Sequence, residues 1–334
     1  MTGSQVEQWY RDPVSCVHAT LAEVVRHAGA EPLEVLGLGW EFRHLPGDVR
    51  PEEYYWPCRV PGDLAGSVLP HHRVRSVWRT APEPDPLTAL TGPLAVGRLP
   101  VLAVDNYHLP FRPAYHDVHA AHLILVRDLD LDRGVALVSD AMPPAHRGEL
   151  PVADLLRAWR STMPPDEQDV FFSGRGGQAR WLEVIVEAVP PPLTPEALRS
   201  ALRANVDGFQ SQGPERTGLA GFGEFLAEVV DRSAAGEAAA PAEVYTFGWS
   251  MQAQSAVHGE LLRTCGMRWA EPELAEAGRR VEQVAHHWTA LRVTGAHGRT
   301  DPVAAAPGLH RHGERLRRSY EQAVESLALA SAAR

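Results

Sequence analysis

The chain of 334 residues contains no lysine: all 32 of its Lys-plus-Arg positions are arginine. A Schiff-base lysine, a lysine general base and the lysine of a phosphate-binding loop are therefore excluded. With 28 prolines and 28 glycines alongside, the skew reads as a high-GC coding bias. Cysteine is nearly as scarce. Cys16, Cys58 and Cys265 form an odd, widely spaced set, which argues against a disulfide scaffold or a cysteine-based zinc site and for free thiols in a cytoplasmic protein. No run approaches the length of a membrane-spanning apolar segment. The first residues, MTGSQVEQWYRDPVSC, lack a basic stretch followed by an apolar one, so neither secretion nor membrane insertion is expected. A net charge of −10 argues against nucleic-acid binding, which needs a basic surface. What is present is a globular balance, 44% hydrophobic and 22% charged, in a chain long enough for two domains.

Apolar residues Val17, Leu21, Val24, Val25 and Ala28 form one helical stripe, with Ser15 placed to cap its start and Gly29 to end it. The next seventy residues, with Trp40, Tyr54, Tyr55, Trp56 and Trp78, read as loops and short elements. Strands are expected at Leu99–Val104, His122–Arg127, Val135–Ser139 and Trp181–Val189, with a helix at Val152–Arg160. The stretch VPPPLTPEALRS breaks the last strand, and Thr194 followed by Pro195 suits a helix start, so a domain boundary is expected near residue 190. Beyond it come helices at Pro195–Phe209, Gly221–Val230, Phe247–Cys265, Pro272–Val293 and Leu309–Ala333, with SAAGEAAAPAE (233–243) as a flexible connection.

Cys16 opens the first helix, where unpaired N–H groups and the macrodipole favour a thiolate. Cys58 and Cys265 have no such placement and read as packing residues. A base must come from elsewhere, and YHDVHAAHLILVRDLDLDRGVALVSD supplies His116, His119 and His122. In a hairpin centred on Leu131, His122 and Asp140 lie equidistant from the turn and face each other, within reach of an imidazole–carboxylate hydrogen bond. That inference depends on register, because a one-residue bulge would send the two to opposite faces. The three histidines could instead be zinc ligands on one helix face, but LILVRD is strand-like and would turn His119 and His122 to opposite sides. Asp128, Asp130 and Asp132 suggest a calcium loop, except that Gly134 falls one place late and Ser139 stands where a glutamate is needed. GRGG (174–177) reads as a turn. The densest basic stretches, HHRVRSVWR (71–79) and HRHGERLRR (310–318), read as solvated faces able to receive an acidic partner.

The order Cys, His, Asp on an early helix and following strands resembles the papain-like cysteine fold. Within it the chain is similar to the butirosin-pathway acyltransferase family (BtrH-type), through SCVHATLAEVVRHAG with EVLGLGWEF, VLAVDNYHLPF, HAAHLILVRDLD and VALVSD. The stretch LLRTCGMRWAEPELAEAGRRVEQVAHHWTAL is similar to the family's C-terminal region. The resemblance implies an α+β fold: a papain-like (NlpC- and C39-like) domain over 1–190 and an all-α lid or substrate domain over 191–334. It further implies an acyltransferase of antibiotic and other secondary metabolism. An acyl group would pass from the phosphopantetheine thioester of an acyl carrier protein, through a thioester on Cys16, to an amine of a small molecule. His122 would be the general base and acid and Asp140 its orienting carboxylate, with no metal or further cofactor. One departure stands out. Where papain-like enzymes place an oxyanion-hole glutamine, this chain has Tyr10, with Gln8 nearby but out of register; Asn106 and Tyr107 are candidates for the second donor. A thioester hydrolase, a peptidase or a chain-releasing cyclase could use the same triad, and a non-catalytic binding protein could keep the same shell. Oligomeric state, a homodimer included, stays open.

Overall fold

The computed structural model describes residues 8–46, 56–174, 178–211 and 216–332. Tyr54, Tyr55 and residues 175–177 of GRGG lie outside them. The stripe read from Val17 to Ala28 forms α1 (Cys16–His27). Ser15 occupies the cap position, but its hydroxyl meets His18 Nδ1 at 3.3 Å and does not bond a backbone amide. The aromatic-rich segment holds more structure than its composition suggests: α2 (Pro32–Leu36), β1 (Arg43–His44), α3 (Leu64–Val68), β2 (Val74–Thr80) and α4 (Thr88–Ala95). There follow β3 (Val101–Asp105), β4 (Ala121–Asp130), β5 (Val135–Asp140), β6 (His146–Pro151), α5 (Val152–Arg160) and β7 (Arg180–Val186).

Six strands form an antiparallel sheet in the order β2-β7-β3-β4-β5-β6. The basic stretch 71–79 is largely an edge strand of this sheet: Arg73 and Arg75 pair with Glu187, and Arg79 with Glu183. Strand periodicity divides the apolar side chains between two layers. Val101, Ala103, Leu123 and Leu125 pack with α1, whereas Leu102, Val104, Ile124, Val126 and Val138 pack with Leu155 and Trp159 of α5.

The second half is helical apart from a two-residue strand: α6 (Pro195–Gln210), β8 (Arg216–Thr217), α7 (Gly218–Ala234), α8 (Ala239–Arg268), α9 (Pro272–Gly298) and α10 (Pro302–Ala332). Thr194 caps α6 by accepting from the Ala197 amide. The Ala/Gly stretch 233–243 is not a flexible connection: α7 runs to Ala234 and α8 begins at Ala239, because alanine favours helix wherever glycine does not interrupt it. Helices α8 and α9 meet where Gly259 faces Gly278. A Cβ on Gly278 would lie 2.7 Å from the Gly259 carbonyl oxygen, so side chains there would force the helices apart. The α1-side apolar layer continues without interruption into these helices, through Phe209, Phe222, Leu261, Trp288 and Tyr320. The short strands β1 and β8 pair antiparallel and also join the two halves. Among the described residues, no helix is long and apolar enough to cross a membrane.

Candidate active site

Cys16 is the first residue of α1, His122 the second of β4 and Asp140 the last of β5, so strand direction brings the histidine and the aspartate to one end of the sheet. The way they meet differs from the register expected of a hairpin centred on Leu131. Next to the turn Asp130 pairs with Val135 and Asp128 with Leu137. Continued unbroken, that register would set Asp140 opposite Leu125, three positions from His122 and therefore on the other face. A bulge at Arg127 intervenes, and beyond it Val126 pairs with Val138 and Leu125 with Ser139. Asp140 then falls opposite Ile124, two positions from His122, on the same face and diagonal to it. Diagonal neighbours are within reach of long side chains. The bulge that would have separated the pair in the simpler hairpin is what unites it in this one.

His122 Nε2 donates to Asp140 Oδ2 at 2.8 Å, both residues being buried. Cys16 lies close enough to the imidazole to help raise its pKa, and with Nε2 engaged by Asp140 the nitrogen left to face the thiol is Nδ1. Burial pulls the His122 pKa down, but the charge and hydrogen bond of Asp140, with the contact to Cys16, outweigh it and push the value up to about 9. For Asp140, burial works upward. The charge and hydrogen bond of His122, the Arg112 guanidinium and the Met142 amide reverse this and hold the carboxyl below its ordinary value. The signs for stability follow. The raised His122 value stabilises the fold fully below pH 6.5 and is lost as pH rises through about 9; the lowered Asp140 value stabilises above 3.8 and is lost as pH falls below it.

Arg112 is a site residue that sequence reasoning missed. Its Nη1 donates to Asp140 Oδ2 at 3.2 Å and to the Met142 carbonyl at 3.0 Å, clamping the end of β5. It lies in a loop of no period, twenty-eight residues from its partner, and nothing in the local sequence marks it. A second buried carboxylate secures the histidine strand. Asp105, at the end of β3, accepts from His119 Nδ1 at 2.7 Å, from Ser161 Oγ at 2.6 Å and from the Tyr107 and Ala120 amides. These bonds fix the entry to β4 just before His122. His119 and His122 thus serve separate carboxylates, and among the described residues no group of three or more His, Cys, Asp or Glu side chains could hold a metal. His116 stacks on Tyr115 at the surface of the same loop.

A cavity of about 180 Å³ opens onto Cys16 and His122, bordered also by Ser15, Asn106, Arg112 and Asp169. Phe172, from the loop after α5, and Thr246, Trp249 and Ser250 of α8 also line it. Two other hollows, of about 240 Å³ beside Arg26 and Arg127 and about 610 Å³ beside Glu260 and Glu282, have neither Cys16 nor His122 in their walls. Chemistry, rather than size, singles out the first. Gln8 is committed elsewhere, donating to Ser139 Oγ and the His146 carbonyl, and Tyr107 stacks on His119. Of the candidate oxyanion donors only Asn106 borders the cavity, where its Oδ1 is buried with no hydrogen-bond partner among the described residues. Cys58 and Cys265 are core residues, and burial pushes the Cys265 thiol up to about 11.

Among curated proteins, none matches the chain. The family profile described as butirosin biosynthesis protein H, N-terminal, matches residues 15–141, the segment that opens at the N-cap of α1 and closes one residue past Asp140. All three residues of the thiol–imidazole–carboxylate array fall inside it. Over residues 15–141 the chain is therefore similar to the butirosin biosynthesis protein H N-terminal family.

Proposed function

We propose that this chain is a biosynthetic acyltransferase of papain-like type that works through a thioester on Cys16. The observation that carries the reading is that Cys16 and His122 border one cavity while His122 is hydrogen-bonded behind it to the buried Asp140. The reacting form in this reading is the Cys16 thiolate beside protonated His122, whose pKa of about 9 keeps the imidazole protonated at neutral pH. Cys16 Sγ attacks the thioester carbonyl of the donor. The carbon–sulfur bond to the donor breaks, and its thiolate takes the proton from His122. The neutral imidazole then accepts a proton from the incoming amine as nitrogen bonds to the acyl carbon and Cys16 leaves. The first-turn amides of α1, free of intrahelical partners, face the developing oxyanion, and Asn106 is the second donor in this reading. Residues of α8 line the cavity and limit access of water.

Intact-protein mass spectrometry with a small acyl thioester tests the nucleophile: the wild type should gain the acyl mass and Cys16→Ala should not. An adduct of equal yield on the alanine variant would sink the assignment. Adding amines and analysing products separates transfer, which yields an amide, from hydrolysis, which yields the free acid.

An acyl carrier protein is the donor partner in this reading, and the protein works in the cytoplasm without a cofactor of its own. Support for docking comes from α9 and α10, where Arg315, Arg318, His286 and His312 lie close enough to press down the pKa of His287, which burial already lowers. Arg317 is less available, being paired with Glu314 and Glu321. Reversing Arg315, Arg317 and Arg318 to glutamate should weaken transfer from an acidic carrier by about tenfold or more while sparing a small thioester donor. Equal losses with both donors would rule the surface out.

A further inference from the structure

We infer that Asp169, with the rings of Phe172 and Trp249, forms a seat for an ammonium group of the acceptor. The charges around the cavity otherwise pair off. His122 stands between Cys16 and Asp140, and Arg112 also donates to Asp140. Asp169 borders the same cavity and has no cationic partner among the described residues. Its Oδ1 accepts from the amides of Phe171 at 3.2 Å and Phe172 at 3.0 Å, a turn that fixes the carboxylate in place. No described group donates to Oδ2. Burial raises the pKa of this group, the two amides oppose the rise, and the charge of Asp166 adds to it. With Oδ1 occupied by the amides, Oδ2 is left for solvent or for a cation that enters the cavity.

The neighbouring surface suits such a cation. Phe172 and Trp249 border the cavity and meet edge to face, with ring centroids 5.4 Å apart. Aromatic faces attract ammonium groups through the ring quadrupole. The rings are braced by their surroundings: the Arg292 guanidinium lies 4.9 Å from the Trp249 centroid and 4.7 Å from that of Tyr245, and Phe171 packs on Tyr245 at 4.2 Å. Arg292 is itself held by the Tyr245 carbonyl and Gln252 Oε1. A carboxylate of fixed orientation beside two braced rings selects a small aliphatic ammonium over a neutral group of equal size. The inference rests on the acceptor being an amine, but its test needs no acyl transfer.

The measurement is the rate at which iodoacetamide alkylates Cys16 in the full-length protein, read by peptide mass spectrometry, with 1,3-diaminopropane or uncharged propane-1,3-diol present. The diamine should protect saturably and the diol should not. Asp169→Asn, which keeps the Oδ1 acceptor for the two amides, should need about tenfold more diamine for the same protection, and Asp169→Glu should need less than Asp169→Asn. Equal protection of wild type and Asp169→Asn, or equal protection by diol and diamine, would overturn the seat. If protection depends on Asp169 but no acyl adduct forms on Cys16, the ammonium site stands and the transferase reading falls.

Discussion

Replacing His122 by alanine should lower acyl transfer by about 10³–10⁴-fold, because in the proposed mechanism the same imidazole receives and returns every proton of the two half-reactions. Its position should also write the pH profile. With the pKa pushed up to about 9, the imidazole stays protonated through neutral pH, and the rate of Cys16 acylation should fall as pH rises through that value. Asp140→Asn removes the charge that holds the proton there while burial, which pulls the other way, remains. The alkaline limb should therefore move toward neutral pH and the maximal rate drop by about a hundredfold or more. Stopped-flow acylation with a small thioester between pH 5 and 10 measures both. An unshifted limb in Asp140→Asn would mean that Asp140 does not govern His122, whatever their distance.

The second large effect concerns the joint between the two halves. Trp40 comes from the first half of the chain, yet its wholly buried ring packs on Phe209, His258 and Tyr320 of the helical half, and its Nε1 donates to Ser255 Oγ at 3.0 Å. Trp40→Ala should destabilise the protein by about 3–5 kcal/mol, visible as a fall of roughly 5–10 °C in the thermal midpoint. Trp40→Phe, which keeps most of the packing and loses the hydrogen bond, should cost about 1 kcal/mol. Because α8 both seats Trp40 and supplies Thr246, Trp249 and Ser250 to the cavity wall, hydrogen exchange of the α8 amides should quicken in the alanine variant. Unchanged exchange there would show that the wall is held by other contacts.

Much of this architecture was legible in the sequence because its causes are local. The stripe from Val17 to Val25, the Thr194–Pro195 start and the alternation along LILV each act over one or two turns of chain, and α1, α6 and β4 lie where those signals put them. The helix Val152–Arg160 was readable to its ends. The edge strand β2 was obscured by its arginines, which read as a solvated stretch because their glutamate partners lie more than a hundred residues away. The long α8 was read short because the apolar pattern weakens at its first turns, though alanine carries the helix there.

The candidate site divides along the same line. The sequence by itself determined that no lysine could be a nucleophile, leaving hydroxyl, carboxylate and thiol groups, that Cys16 alone of three cysteines opens a helix, and that His122 and Asp140 flank one hairpin. Only the tertiary structure decided that the two share a face, because parity in a hairpin is the joint outcome of turn length and bulges, and the bulge at Arg127 has no local signature. It also decided the charge balance of the cavity. Arg112, Asp140 and Asp169 come from separate loops and strand ends, and whether a carboxylate is paired or left for a ligand depends on which distant side chains reach it. Sequence can name a charge, but its partner is set by the fold.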